Sequence, residues 1–281
     1  MKDYKNVFLV TAVGGVLALA LRLWQQLAGF EADTGLAVPG HPAGIALAVV
    51  LAATAGVLVA LSRRLPGQKD ERAFERAFST ESVGVLTVVI MGIFLMAAGG
   101  ALQVLFALMG GGLQGVLQES GMMMAVVWMG EASPREVLLL GVLAVVSAVC
   151  LFPAAAACRC HEDRPSRAVN GNLLLVPVML LVVRLVMLYR INSVDPVLQA
   201  YYVELLAVVF VTLALYQLAG FAFGQGSLRW YSVCGGLAVV LCAATLADGH
   251  DISGTLFYAG CALSVLGFWL LYREAGPMPE A

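Results

Sequence analysis

Residues 83–109 read VGVLTVVIMGIFLMAAGGALQVLFALM, and this stretch decides the fold. It contains no charged side chain over its whole length. An α-helix rises about 1.5 Å per residue, so about 20 apolar residues are enough to cross a hydrocarbon core roughly 30 Å thick. A helix on the surface of a soluble protein needs a polar face, which this segment lacks. The stretch therefore predicts a transmembrane helix.

The rest of the chain has the same character. Of its 281 residues, 61% are hydrophobic and 12% are charged, and the mean hydropathy is +0.91, whereas soluble domains carry about 25% charged residues. The sequence predicts an all-α, polytopic integral membrane helix bundle with about eight spans, forming one transmembrane domain over residues 1–281. The predicted spans are Val7–Ala28, Ala43–Leu61, Val83–Met109, Val137–Ala157, Leu173–Tyr189, Pro196–Phe223, Tyr231–Ala247 and Ile252–Tyr272.

The distribution of lysine and arginine predicts the orientation. Basic residues accumulate in cytoplasmic loops, and all but four of the 16 fall in the terminal segments or in alternate loops. We expect a multi-pass protein of the cytoplasmic membrane with its N-terminus and C-terminus in the cytoplasm. A cleaved signal peptide, with Ala18–Ala20 as its cleavage site, is the alternative interpretation of the first segment, although the apolar run continues past that point.

The two halves of the chain share a short pattern. Leu19–Leu23 (LALRL) in the first predicted span resembles Leu181–Leu185 (LVVRL) in the fifth. Halves of four spans each, 1–165 and 166–281, would have the same orientation in the membrane. The pattern indicates a parallel 4+4 internal repeat, and a chance similarity between two apolar helices is the alternative.

Two loops have a pattern of their own. Gln68–Phe78 places Phe74 and Phe78 four residues apart among charges. This spacing is typical of a short amphipathic helix on the inner membrane surface, and a solvated connector with two loosely tucked aromatic side chains is the alternative. Gly110–Pro134 is apolar but too short to span. We interpret it as a re-entrant or interfacial segment, a lid over an outer cavity, or the contact site of a protein partner.

Ionisable side chains inside a membrane are costly, so each is a candidate for function. Arg22, Arg184 and Glu204 lie in predicted spans, all in the outer half of the bilayer, and Gln25, Gln26, Tyr201 and Tyr202 lie near the same depth. Two guanidiniums in one pocket would favour a small anionic or carboxylate-bearing solute, because arginine binds carboxylates through two parallel hydrogen bonds. The predicted ligand-binding residues are Arg22, Gln25, Arg184, Tyr201 and Glu204.

The same residues admit a purely structural interpretation. Arginine side chains near helix ends extend to the lipid headgroups at modest cost, and Glu204 can pair with Arg184 to lock two helices together. Gln103, beside Gly99–Gly100, favours an interhelical hydrogen bond at a close helix contact, and the small-residue patch at Gly260 is typical of such contacts as well. The outer turn Asp248–Asp251 is either merely solvated, a cation site or a pH sensor.

No enzyme motif stands out in the sequence. It contains no zinc-protease, nucleophile-elbow or phosphate-loop motif, and no catalytic residue, metal ligand, cofactor or nucleic-acid partner is predicted. The leading hypothesis is a small-solute permease, or the substrate-binding membrane subunit of one, with an outward-facing polar pocket in the lipid bilayer. The alternatives are a non-transporting scaffold or accessory subunit, and, ranked last, an intramembrane enzyme acting on lipid.

Overall fold

The computed structural model describes residues 2–31, 38, 40–65, 69–70, 74–109, 134–159, 169–192 and 198–275. Over these residues the chain is helical apart from one pairing of two-residue strands, β1 (Lys69–Asp70) with β2 (Gly226–Ser227). Eight of the helices are long and apolar enough to cross a membrane. The predicted fold class is therefore confirmed. The helices are α1 (Lys2–Ala28), α2 (Pro42–Ser62), α3 (Phe74–Ala77), α4 (Val83–Met109), α5 (Pro134–Ala157), α6 (Gly171–Asn192), α7 (Leu198–Ala222), α8 (Leu228–Thr245) and α9 (Ile252–Ala275).

Six of the spans form a closed circuit. Each helix from α4 to α9 packs on the next one, and α9 returns to pack extensively on α4. Helices α1 and α2 form a pair that packs on α8 from outside this circuit. Helix α8 is consequently the most buried span. Of its residues 78% are buried, against 17% of the most apolar stretch of α2. The exposed residues of α2 are apolar, as lipid contact requires.

Glycines bring α4 and α9 into backbone contact. A Cβ atom added at Gly260 would lie 2.4 Å from the Met96 backbone nitrogen, and one added at Gly99 would lie 2.6 Å from the Ser253 carbonyl oxygen. The helices run antiparallel here, since Gly92 lies against Ser264 while Gly99 lies against Phe257. Because lipid is as apolar as leucine, close packing of this kind replaces the hydrophobic effect as the force that holds membrane helices together. The predicted close contacts at these small-residue patches are confirmed.

The surface-helix interpretation of Phe74 and Phe78 is wrong, and the two aromatic side chains are tucked into the bundle as the alternative predicted, but fully and not loosely. Both rings are buried, at 2% and 0% exposure, and stack on each other with centroids 4.6 Å apart. Phe78 also meets Phe221, Phe268 and Tyr272 edge-on. The described part of the loop, Phe74–Phe78, therefore does not lie on the membrane surface, because its aromatic side chains enter the bundle between α7 and α9. We call this end of the bundle, built from Phe74, Phe78, Phe221, Phe268 and Tyr272, the aromatic end.

Other sequence predictions lie outside the described residues or stay predictions. Almost all of Gly110–Pro134, the proposed lid or partner site, falls outside the part of the chain that the structure describes. The internal repeat stays a prediction. Its two halves each supply four spans, but they pack differently. In the second half, α7 packs extensively on the next span, α8, whereas the equivalent helix of the first half, α2, packs mainly on α1 within its own half.

Candidate functional site

Arg22 is held by an ion pair with a residue far away in the sequence. It lies about 9 Å along α1 from the end of that helix, and its side chain is 0% exposed. Its Nε donates to Oδ1 of Asp248, which lies in the turn between α8 and α9. The Asp248 side chain is only 5% exposed, so the pair is buried. Arg22 therefore does not extend to the headgroups, and its charge is compensated inside the protein.

Two glutamines complete this cluster. Arg22 Nη1 donates to Gln25 Oε1 over 2.9 Å, and Gln26 Nε2 donates to Asp248 Oδ1 over 3.1 Å. Because arginine can only donate hydrogen bonds, the contact fixes the carbonyl oxygen of Gln25 toward Arg22. The ring of Tyr202 on α7 lies 5.8 Å from the guanidinium carbon, within cation–π range. We call the part of the bundle that holds Arg22, Gln25, Asp248 and Tyr202 the polar end.

A cavity of about 320 Å³ opens beside this cluster. It lies between the end of α1 and the start of α2, with Tyr202 on its third side. Gln25, His41 and Tyr202 are its polar lining residues, and the other lining residues are glycines or apolar residues. The lining residues are Gln25, Gly29, Val38, Gly40, His41, Gly44, Ile45, Ala48 and Tyr202.

Glu204 lies at the same end but in a separate cluster. The Tyr258 hydroxyl donates to Glu204 Oε1 over 2.6 Å, and Nε2 of His250 lies 3.9 Å from the same oxygen. The His250 and Tyr258 rings are 5.3 Å apart. Glu204 and His250 are 14% and 19% exposed, so both side chains are mostly withdrawn from the surroundings of the bundle.

The turn at residues 248–251 supplies both clusters. Asp248 faces Arg22 and His250 faces Glu204, with Gly249 between them at φ +69°, a conformation that favours glycine. Asp251 accepts hydrogen bonds from Ser253 and from the Gly254 backbone, which caps α9. These carboxylates are thus engaged inside the protein, so the turn is not simply solvated. Burial raises the pKa of Asp248 above its ordinary value, although Arg22 and the hydrogen bonds from Arg22 and Gln26 oppose that shift.

Arg184 lies inside the six-helix circuit and has no carboxylate partner among the described residues. Its Nη1 donates to the Leu140 carbonyl of α5 over 3.2 Å and to Gln103 Oε1 of α4 over 3.5 Å. Its guanidinium carbon lies 3.8 Å from the centre of the Phe257 ring on α9. The side chain is 3% exposed, and its Nε has no hydrogen-bond partner. The predicted interhelical hydrogen bond of Gln103 is confirmed.

The five residues singled out from the sequence thus fall in different places. Only Gln25 lines the cavity, and Arg22 lies directly behind it. Glu204 and Arg184 lie in two further environments, and no ion pair joins them in the part of the chain that the structure describes. Tyr201 is half-buried and absent from the cavity lining, whereas its neighbour Tyr202 is part of it.

Sequence reasoning missed three partners. The sequence shows Asp248 and His250 only as members of one outer turn, and it gives no reason to single out Tyr258. A signal existed for Asp248, because a buried arginine requires a compensating carboxylate and this turn offers two. Nothing in the sequence indicated that Tyr258 would face Glu204.

The eight spans, the lipid-facing apolar surface and the buried polar clusters define the class: a multi-pass α-helical membrane protein with a polar cavity at one end. No protein-family model matches the chain, and no curated protein or solved structure is significantly similar to it.

Proposed function

We propose that the chain is a small-solute permease, or the substrate-binding membrane subunit of one, and that it binds its solute in the cavity at the polar end. The observation that carries this proposal is a cavity of about 320 Å³ lined by an amide, an imidazole and a phenol and backed by a buried ion pair. Its volume lies within the range of about 300–1,000 Å³ that is typical of small-molecule sites.

The charges around the cavity favour a solute with no net charge. Asp248 compensates Arg22, so the cavity gains no free positive charge from that side chain. Arg22 occupies the carbonyl oxygen of Gln25, which leaves the amide NH2 as a donor beside the cavity. The solute class that fits is a small neutral or zwitterionic molecule with a carboxylate, carbonyl or hydroxyl oxygen. The anionic solute expected from the sequence would need two guanidiniums without countercharges in one pocket. Arg22 is instead paired with Asp248, and Arg184 lies in a different part of the bundle.

The orientation follows from the basic residues. Among the described residues, Arg63, Arg64 and Arg273 lie at the aromatic end, and such residues favour the cytoplasm. This supports an orientation in which both termini are cytoplasmic. The polar end and its cavity would then face the outside of the cytoplasmic membrane, open to external solute.

A thermal-shift screen of the purified protein in detergent tests the binding proposal. We expect a neutral or zwitterionic solute to raise the melting temperature, because a ligand at a hundredfold excess over Kd stabilises the folded state by about 2.7 kcal/mol. Ala48 lines the cavity, while Ala52, one turn along α2, is exposed and does not. Ala48→Leu should abolish the shift and Ala52→Leu should retain it.

Two results would contradict the proposal: no shift with any neutral, zwitterionic or anionic solute, or an equal shift in both leucine variants. The first result would favour the scaffold hypothesis. That hypothesis has its own support, because Arg22 and Glu204 both have partners inside the protein. The Arg22–Asp248 pair fixes α1 to the turn between α8 and α9, and the Tyr258–Glu204 hydrogen bond joins α9 to α7. A stoichiometric protein partner on co-purification would then be expected.

A further inference from the structure

A carboxylate, an imidazole and a phenol meet at the polar end without lining the cavity. Glu204 Oε1 accepts from the Tyr258 hydroxyl at 2.6 Å and lies 3.9 Å from His250 Nε2. That nitrogen is buried and has no hydrogen-bond partner. Oδ2 of Asp248, two residues away in the same turn, is likewise buried and unpartnered. Both atoms are polar and buried, so each lacks the hydrogen bond that a buried polar atom normally makes.

The chemistry of the group points to a proton. A charged carboxylate within a membrane-spanning helix is costly, and a proton shared with a neighbouring base lowers that cost. Histidine is the residue type that takes up a proton near physiological pH. The described residues supply no lysine or arginine in contact with Glu204 that would neutralise it instead.

We propose that Glu204 and His250 form a proton-binding site and that the proton is the ion coupled to solute binding in the cavity. The coupling rests on the proposed permease function, whereas proton binding itself does not. Tyr258 positions the Glu204 carboxylate through its hydroxyl.

One turn and one helix link the proton site to the cavity. The turn carries His250 toward Glu204 and Asp248 toward Arg22, which in turn holds the Gln25 amide of the cavity wall. On α7, Tyr202 of the cavity precedes Glu204 by two residues. Proton uptake draws His250 toward Glu204 and so acts on the Asp248–Arg22 pair behind the solute. Because linkage is reciprocal, a solute that alters this pair alters proton affinity by the same factor.

Titratable and charged groups on the surrounding elements also act on the site. The surrounding elements contribute Arg22 from α1, Arg184 from α6, Tyr202 from α7, Cys242 from α8, Asp248 and Asp251 from the turn, and Tyr258 from α9. A protonated His250 gains attraction from both Glu204 and Asp248, so proton uptake should stabilise the fold. Burial raises the pKa of Asp248, so protonation of Asp248 also stabilises the fold as the pH falls. This contribution of Asp248 to the pH dependence remains when Glu204 or His250 is replaced.

The first experiment measures the melting temperature from about pH 5 to pH 8 without ligand. We expect wild type to melt at higher temperature as the pH falls. Glu204→Gln, His250→Asn and the double variant should each lose the same part of this pH step, while Glu81→Gln, which removes an exposed carboxylate, should keep it. Tyr258→Phe retains both titrating groups and should keep the step. If Glu204→Gln fails to fold, His250→Asn carries the test, since His250 lies in a turn outside the helices. An undiminished step in His250→Asn would overturn the site.

The second experiment separates the proton site from the permease proposal. The thermal shift caused by a cavity solute is compared at acidic and alkaline pH in wild type and His250→Asn. A shift that depends on pH only in wild type supports coupling, and a shift equal at both pH values in wild type overturns it. A pH step that requires His250, with no solute shift at any pH, would support proton binding and contradict the permease function.

Discussion

Replacing Arg22 with methionine should lower the free energy of unfolding by about 3–5 kcal/mol, because it leaves the Asp248 carboxylate buried without its cation. Asp248 is only 5% exposed, so water cannot substitute for the guanidinium. SDS titration in mixed micelles measures the change. Asp248→Asn should be destabilising as well, and the double variant should cost less than the sum of the two, since the residues act as a pair.

The loss in Arg22→Met should depend on pH. Arg22 lowers the pKa of Asp248, while burial raises it, so removing Arg22 raises the folded-state pKa further above the unfolded value. A carboxyl group with a raised folded-state pKa contributes stability that is present below its unfolded pKa and is lost as pH rises through the folded one. The variant should therefore be less impaired at pH 5 than at pH 8.

Arg184→Met is the matched control for this prediction. Both arginines are almost fully buried, but among the described residues Arg184 has no carboxylate partner. A buried charge with no countercharge is costly, and methionine removes that cost, which offsets the loss of the hydrogen bonds to Gln103 and Leu140. Arg184→Met should therefore unfold at the same or a higher SDS concentration than wild type. An Arg22→Met variant within about 1 kcal/mol of wild type would mean that Arg22 is held at the headgroups and not by Asp248.

Gly260→Leu should separate α4 from α9 and prevent the bundle from forming. The new Cβ atom would lie 2.4 Å from the Met96 nitrogen and 2.7 Å from the Gly92 oxygen, and both are backbone atoms that cannot move without displacing α4. Overpacking a buried site costs about 1–3 kcal/mol where side chains can adjust, and a backbone contact should exceed that range. Size-exclusion chromatography in detergent should show aggregated protein with no cooperative melting.

Gly56→Leu tests whether this effect comes from packing. Gly56 lies within α2 and has no heavy atom within 4 Å of an added Cβ. The variant should behave as wild type, because leucine there meets lipid and has a better helix propensity than glycine. A monodisperse, cooperatively melting Gly260→Leu protein would contradict the described α4–α9 contact.

The spans could be predicted from the sequence because each one must be long and apolar enough to cross the hydrocarbon core, and must make its backbone hydrogen bonds within its own helix. Residues 83–109 carry that information locally, and the predicted span matches α4 at both ends. The close contact at Gly99 and Gly260 could also be predicted, since small residues in an apolar helix have few other uses.

The partners of the buried groups depend on tertiary structure and could not be predicted. Arg22 and Asp248 are separated by 226 positions, and the pattern around each is only that of a helix end and a turn. The four-residue spacing of Phe74 and Phe78 places both rings on one face of a helix. That spacing is the same whether the face meets lipid or packs between α7 and α9, so the sequence could not distinguish the two. That Tyr202 and not Tyr201 lines the cavity could not be predicted for a similar reason, because the rotation of α7 relative to α1 is set by packing.

The most direct measurement of an outward-facing cavity is thiol labelling in intact cells. Ala48→Cys places a thiol in the cavity, and Ala275→Cys places one at the aromatic end, where it lines a second cavity with Thr80 and Glu274. Labelling of the wild-type chain gives the background from native thiols. Of these, Cys158 should contribute little, because burial raises its pKa to about 12.

A membrane-impermeant maleimide should label Ala48→Cys in intact cells, and a solute that raises the melting temperature should slow that reaction. Ala275→Cys should react only after the cells are permeabilised. Labelling of Ala275→Cys but not Ala48→Cys in intact cells would contradict the orientation, and a thiol at position 48 that reacts under neither condition would contradict an open cavity.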